Sequence, residues 1–276
     1  MSLNLALMRL AAAVSAEAGS LVAKSRSQPL EVAATKSSRT DVVTAVDVAS
    51  EQLIRRRLLT ARPHDGIHGE EGDDVVGTSG VEWVVDPIDG TVNFLYGIAQ
   101  FAVCIAARVD GEVAAAVVHN PVTGEMFSAV RGGGAARDGD PISVSDCAEP
   151  AMALVGTGFS YSARVRQHQA AELARLVPRV RDIRRMGSAA LDLCAVACGR
   201  LDAYVERGLK PWDLAAAGLV AEEAGARVEG LNGAPAGELL VVAAGRGLFG
   251  PLHELLVDSG FDDWPLKQWP SSGAEA

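Results

Sequence analysis

Three apolar runs cut by turn residues constrain this chain most: residues 101–109, 113–119 and 126–130, separated by Asp110-Gly111 and by residues 121–124. Runs of this length read as strands, and Asp-Gly between two of them is a hairpin signal. The expectation is an antiparallel meander. Gly132-Gly133-Gly134 extends it as a further turn; no Lys-Ser/Thr follows in a strand-to-helix context, so the run is not a phosphate cradle.

On either side the periodicity changes. Residues 3–24 carry Leu3, Leu7, Leu10, Val14, Ala18, Leu21 and Val22 at helical spacing. This opening lacks a basic n-region, and Arg9 and Glu17 interrupt it, so it reads as an amphipathic helix rather than a leader. Residues 25–43 are polar and irregular, and 48–59 form a second helix with Arg55, Arg56 and Arg57 mainly on its wet side. Residues 65–80 read as an acidic, Gly-rich loop, and 81–85 as a short strand ending in a Pro turn. From about Ala151 strands at 153–156, 182–185, 203–206 and 239–243 alternate with helices at 163–177, 189–197, 214–224 and 248–256. The architecture expected is α+β for residues 1–148 and α/β for 149–276, with a loose tail at 270–276.

Composition sets the limits. Of 276 residues 49% are hydrophobic, which excludes disorder, and a chain this long buries roughly 70–75% of its unfolded surface. The net charge of -10 argues against duplex DNA or an anionic membrane as a partner, since both attract clustered Lys and Arg. Cys104, Cys147, Cys194 and Cys198 form no paired CxxC units and read as buried free thiols of a reducing, cytoplasmic protein.

The chemistry is written in Gly69-Glu70-Glu71 and in Trp83-Val84-Val85-Asp86-Pro87-Ile88-Asp89-Gly90-Thr91-Val92-Asn93-Phe94. Asp86 and Asp89, three residues apart in a Pro-stiffened turn, can point into one cavity with a backbone carbonyl between them. Such an oxygen set suits a hard cation, magnesium in particular. The Gly90-Thr91 step offers amides to a phosphate. Taken alone, these residues read equally well as an acidic turn. A second cluster, Pro211-Trp212-Asp213, puts an acid at or near the N-cap of a helix, where capping is a sufficient explanation and metal ligation is compatible with it.

These motifs, with residues 41–47, 132–145, Gly187-Ser188-Ala189-Ala190 and Trp212-Asp213, resemble the inositol monophosphatase family, a branch of the lithium-sensitive, magnesium-dependent phosphomonoesterases, and within it the bacterial SuhB-type members. The resemblance runs from Lys36 almost to the C-terminus. It implies a layered αβαβα sandwich of the inositol monophosphatase and fructose-bisphosphatase type.

Carried over residue by residue, it gives one Mg2+ to Glu70, Asp86 and the Ile88 carbonyl, and a second to Asp86, Asp89 and Asp213. A third, weaker ion would sit against Glu70 and water. It implies that Thr91 and Asp47 activate the attacking water, that Gly90 and Thr91 hold phosphate, and that Asp89, Gly187, Ala189 and Glu206 line the substrate. Lys36 would belong to a flap. Lys210 stands where some relatives carry His. A solvated acid paired with Arg207 or Arg185 is the alternative for Glu206, an N-cap for Thr91, a helix-start acid for Asp47.

The implied enzyme hydrolyses myo-inositol 1-phosphate by direct attack of water, as a homodimer. Relatives that act on histidinol phosphate, fructose 1,6-bisphosphate or phosphoadenosine phosphates supply the alternative substrates. A partner of the transcription machinery is the alternative of another class. His64 and His68 read as solvated, and Arg175, Arg179, Arg181, Arg184 and Arg185 as a basic solvated face.

Overall fold

The computed structural model describes residues 2–26, 32–35 and 42–263. Lys36, Asp41 and the 270–276 tail lie outside the described residues.

Helix α1 (Leu3–Ser25) buries Leu7, Ala11, Val14, Ala18 and Val22 on one stripe. Among the described residues it is the one helix long and apolar enough, by length and composition, to cross a membrane. Here its stripe packs on a sheet instead. Strands β1 (Val32–Thr35) and β2 (Val42–Thr44) pair antiparallel and lead into α2 (Ala45–Ala61). Arg56 and Arg57 are exposed, but Arg55 is not on the wet side: its Nε donates to the buried Glu51 at 2.6 Å.

A seven-stranded sheet follows: β3 (Gly66–Gly69), β4 (Val81–Asp89), β5 (Ala102–Val109), β6 (Glu112–His119), β7 (Met126–Val130), β8 (Ala135–Arg137) and β9 (Asp140–Pro141), in that spatial order. The short helix α3 (Thr91–Tyr96) leaves from the end of β4. The meander is β5-β6-β7, antiparallel throughout. Strand β3 lies inside the stretch expected to be loop. Four residues bounded by glycines carry no alternation, and the strand exists through its parallel pairing with β4.

The second half comprises β10 (Leu154–Thr157), α4 (Ala163–Leu176), β11 (Asp182–Arg184), α5 (Ala189–Ala197), β12 (Ala203–Glu206), α6 (Pro211–Glu223), β13 (Ala226–Glu229), β14 (Val241–Gly245) and α7 (Arg246–Asp258). The sheet order is β11-β10-β12-β14-β13. β10 runs parallel to both neighbours, whereas β14 is antiparallel to β12 and β13, so this sheet is mixed rather than purely α/β.

Three cores stack the layers. Trp83, Val85, Ile105 and Val117 face α1 and α2. Val84, Ala106, Ala116 and Val118, from the other face of the same strands, meet α5 and α6, which also cover Tyr204, Val241 and Ala243. The far face of the second sheet, Val155, Val205 and Val242, packs with α7. The order is therefore α, β, α, β, α, as expected. Each large side chain so buried contributes about 1.5–3 kcal/mol. The middle layer is built of small residues: α5 is buried along its whole length, and α6 presents Ala215, Ala216, Ala217 and Gly218. All four cysteines are free; Cys104 and Cys194 are buried, but Cys147 and Cys198 are half-exposed.

Candidate active site

The site lies where β4 stops being regular. Asp86 pairs with Cys104 and Asp89 with Ala102, so β4 carries one more residue than β5 in between. Alternation alone would put residues three apart on opposite faces; a bulge of one residue returns Asp89 to the side of Asp86. Asp86 continues the parity of Val84, toward the middle layer. Pro87 contributes no amide to the ladder, and the Ile88 N–H is turned back onto Asp86 Oδ1 at 2.9 Å. Gly90 ends the bulge at φ +94°, and a Cβ there would stand 3.0 Å from the Gln100 carbonyl and 3.1 Å from that of Gly187. Only glycine combines that backbone with that approach.

The second half closes the site from the opposite side. Ser188 caps α5, accepting the Leu191 N–H at 3.2 Å, and donates its hydroxyl to Asp89 Oδ2; the Ala190 N–H reaches the same oxygen at 2.8 Å. Asp213 is the third residue of α6, not its N-cap, and accepts the Lys210 N–H at 2.7 Å. Carboxylate oxygens of Asp86, Asp89 and Asp213 lie within 4.8 Å of one another. Glu70, whose N–H donates to the Val85 carbonyl at 3.2 Å, shares a side-chain hydrogen bond with Asp86.

Crowding four acids has an electrostatic cost. Burial, then the charges of Glu70, Asp89 and Asp213, push the Asp86 carboxyl well above the usual range. Burial, then Asp89 and Glu70, push up Asp213. Asp89 is raised by burial, opposed by its bonds from Ser188, Ala190 and Ala189 and by the Arg185 charge. Buried like charges are disfavoured unless a cation joins them, and an all-oxygen donor set fits a hard divalent ion.

Beside the acids sits a hydroxyl with two acceptors. Thr91 Oγ1 lies 3.1 Å from Asp47 Oδ1 and 3.1 Å from the Ile88 carbonyl. Thr91 is the first residue of α3; Gly90 is its N-cap. Asp47 closes a capping box on α2, accepting the Thr44 N–H at 2.9 Å and the Thr44 hydroxyl. It is fully buried, and burial raises its carboxyl despite these bonds. The amides of Gly90 and Thr91 open the first turn of α3, where N–H groups have no intrahelical acceptor.

Glu206 ends β12, half-buried, with the Tyr204 hydroxyl donated to its Oε2. Burial pushes it up to about 7, against the Tyr204 bond and the Arg185 charge. Arg207 is not its partner: that guanidinium is spent on Glu172 at 2.7 Å and on the Leu239 carbonyl at 2.9 Å. Gly158 leaves room for the Glu206 carboxylate, since a Cβ there would overlap it. Gly187 sits at φ +95°, where a Cβ would lie 2.8 Å from Asn93 Nδ2. Ala189 opens α5, and Lys210 pairs with Glu238.

The motif reading left several residues without a role. Asn93 Nδ2 donates to the carbonyls of Gln100 at 2.7 Å and Met186 at 2.8 Å, tying α3 to the Gly187 turn. Ser188 holds Asp89. Asp192, fully buried with Oδ1 lacking a hydrogen-bond partner, is pushed up to about 8 by burial, then by Glu206 and Asp89. His68 is not simply solvated: its Nδ1 meets Asp74 Oδ1 at 2.7 Å and its ring lies 5.3 Å from Trp212. His64 is exposed, as expected.

Two mixed sheets enclose a helical layer, and the carboxylate cluster buried at their seam is a donor set that suits a divalent ion. The chain belongs to the inositol monophosphatase family, whose sequence profile matches residues 5–259. It is 52% identical over 224 residues to the inositol-1-monophosphatase SuhB of Mycobacterium tuberculosis, 77% of each chain. It is 38% identical over 231 residues to the Nus factor SuhB of Escherichia coli, 82% of this chain and 86% of that one. The extragenic suppressor protein suhB from Bartonella henselae superposes with a TM-score of 0.86 at 33% identity, over 91% of this chain and 98% of that one.

Proposed function

We propose that this enzyme is a magnesium-dependent phosphomonoesterase that hydrolyses myo-inositol 1-phosphate and related inositol monophosphates. The observation that carries the reading is the convergence of Asp86, Asp89 and Asp213 within 4.8 Å beside a hydroxyl shared with Asp47. Glu70, Asp86 and the Ile88 carbonyl would hold one Mg2+, and Asp86, Asp89 and Asp213 another. A third ion against Glu70 is part of the same reading. Bound there, magnesium supplies positive charge to the phosphate oxygens and acidifies water.

The residues of the chain do the rest. Thr91 has one proton and two acceptors within reach, so its lone pairs are open to a water beside the cluster. As that water gives a proton to Thr91 Oγ1, the Thr91 proton passes to Asp47, whose raised affinity makes it a better base than an exposed aspartate. Amides of Gly90 and Thr91 are the donors available to the phosphate. Asp89, Ala189, the Gly187 turn and Glu206 are the groups we assign to the cyclitol hydroxyls; a polyol needs acceptors, and Glu206 provides one. In this reading residues 1–148 carry most ligands, and 149–276 add Asp213 and the substrate wall. We take the working form to be a cytoplasmic homodimer.

Phosphate release from inositol 1-phosphate, histidinol phosphate, fructose 1,6-bisphosphate and 3′-phosphoadenosine 5′-phosphate, with and without magnesium, tests this. Magnesium-dependent preference for the first supports it; preference for another removes the substrate assignment and leaves the metal cluster. The Nus factor name of the Escherichia coli relative favours a second reading, a protein partner in transcription. Capture of the transcription machinery by Asp86→Asn as well as by the parent would support that role.

A further inference from the structure

We propose that Glu51 and Arg55 of α2 are positioning residues for Glu70: the pair fixes the 69–73 loop, and magnesium affinity at the Glu70 position depends on it. The proposal rests on the reading of Glu70 as a ligand.

β3 ends at Gly69, and beyond Glu70, whose N–H still reaches the Val85 carbonyl, the chain would carry unpaired backbone groups beside the buried cluster. One i, i+4 pair takes them. Glu51 Oε2 accepts the Glu71 N–H at 2.8 Å and Oε1 the Gly72 N–H at 2.9 Å. Arg55 Nε donates to Glu51 Oε1 at 2.6 Å, while Nη1 and Nη2 donate to the carbonyls of Asp73 at 2.8 Å and Gly72 at 3.0 Å. Two amides and two carbonyls of three consecutive residues are thus held by one carboxylate and one guanidinium.

The glycines on either side of the Glu70-Glu71 pair keep the clamp close. A Cβ on Gly69 would stand 2.6 Å from Glu51 Oε1 and 2.7 Å from Arg55 Nη2; one on Gly72 would stand 3.0 Å from Glu51 Oε1 and 3.1 Å from Arg55 Nε. Glu51 is buried and the Arg55 side chain nearly so, which makes the pair a fixed element rather than a surface bridge. The same helix begins with Asp47, hydrogen-bonded to Thr91. One rigid element therefore sets both the Glu70 loop and the Thr91 hydroxyl. Groups that orient a ligand from behind typically change metal affinity by about 10–100-fold when removed.

The test is Mg2+ binding by titration calorimetry on the full chain and on Glu70→Gln, Glu51→Gln and Arg55→Lys, with circular dichroism to establish folding. Glutamine cannot accept both amides and Arg55 together, and lysine keeps the charge without the fork. Expected is about 10–100-fold weaker binding in Glu51→Gln and Arg55→Lys, in the same phase that Glu70→Gln weakens, with turnover recovered at higher magnesium. A lowered melting temperature with unchanged Mg2+ binding in both would overturn the proposal while leaving Glu70 a ligand. Unchanged binding in Glu70→Gln would overturn the ligand assignment and the proposal with it. Should Glu51→Gln not fold, Arg55→Lys carries the same two outcomes.

Discussion

Replacing Asp86 by asparagine should make the metal-free enzyme more stable while ending its catalysis. Two unit charges within 4.8 Å in an effective dielectric near 20 repel by roughly 3.5 kcal/mol. The raised proton affinities of Asp86 and Asp213 let the cluster relieve part of this by binding protons, which leaves less than that full repulsion as strain in the metal-free protein. Asparagine keeps an oxygen for the Ile88 N–H and removes a charge. At roughly 2 °C per kcal/mol for a chain of this size, melting in EDTA should rise by a few degrees. Magnesium at about 100 times its dissociation constant should stabilise the parent by roughly 2.7 kcal/mol and the variant by little. Differential scanning calorimetry in EDTA and in magnesium should therefore give curves that exchange order. A variant that melts lower in EDTA and keeps the full magnesium shift would refute the picture of a repulsive cluster completed by a cation.

Thr91→Ala should lower kcat by about 10²–10⁴-fold with little change in KM, and Thr91→Ser should retain most of the rate; equal losses would deny the hydroxyl its role. Gly90→Ala meets two carbonyls and a left-handed backbone, and should cost about 1–3 kcal/mol in urea unfolding; a neutral result would mean the seam relaxes easily. Asp192→Asn tests the group pushed up to about 8. An acid that holds its proton more tightly in the folded state contributes stability at pH below about 4 and loses it as pH rises toward 8, so the variant should be more stable by about 1–3 kcal/mol at pH 8 and alike at pH 4. Parallel pH profiles of unfolding free energy for variant and parent would contradict this.

Legibility from sequence followed the range of the forces involved. The meander, α5 and β12 could be read because periodicity and turn residues are local signals. β3 and β13 could not, since each is a short edge strand held by a single partner. Asp86, Asp89 and Asp213 stood out as acids in motifs, yet the bulge that brings the first two to one face depends on pairing with β5. Arg55 was expected on a wet helix face because two of its three acceptors, loop carbonyls, are 17 and 18 residues away. Ser188 and Asn93 lay inside quoted motifs, but their hydrogen bonds span 99 and 93 residues, and nothing in the local pattern signals that reach.

The alanine-rich middle layer acts as a gauge. Helices and sheets separate by an amount fixed by the side chains at their contact. The row Ala215, Ala216, Ala217 and Gly218 therefore sets the gap between a sheet that carries Asp86 and Asp89 and a helix that carries Asp213. A methyl group is the shim that keeps three carboxylates within reach of one ion. Enlarging one such residue, itself no ligand, would open the seam by a fraction of an ångström and detune the cluster without altering its composition. Variation in these alanines is thus a route by which metal affinity can drift while every motif residue stays in place.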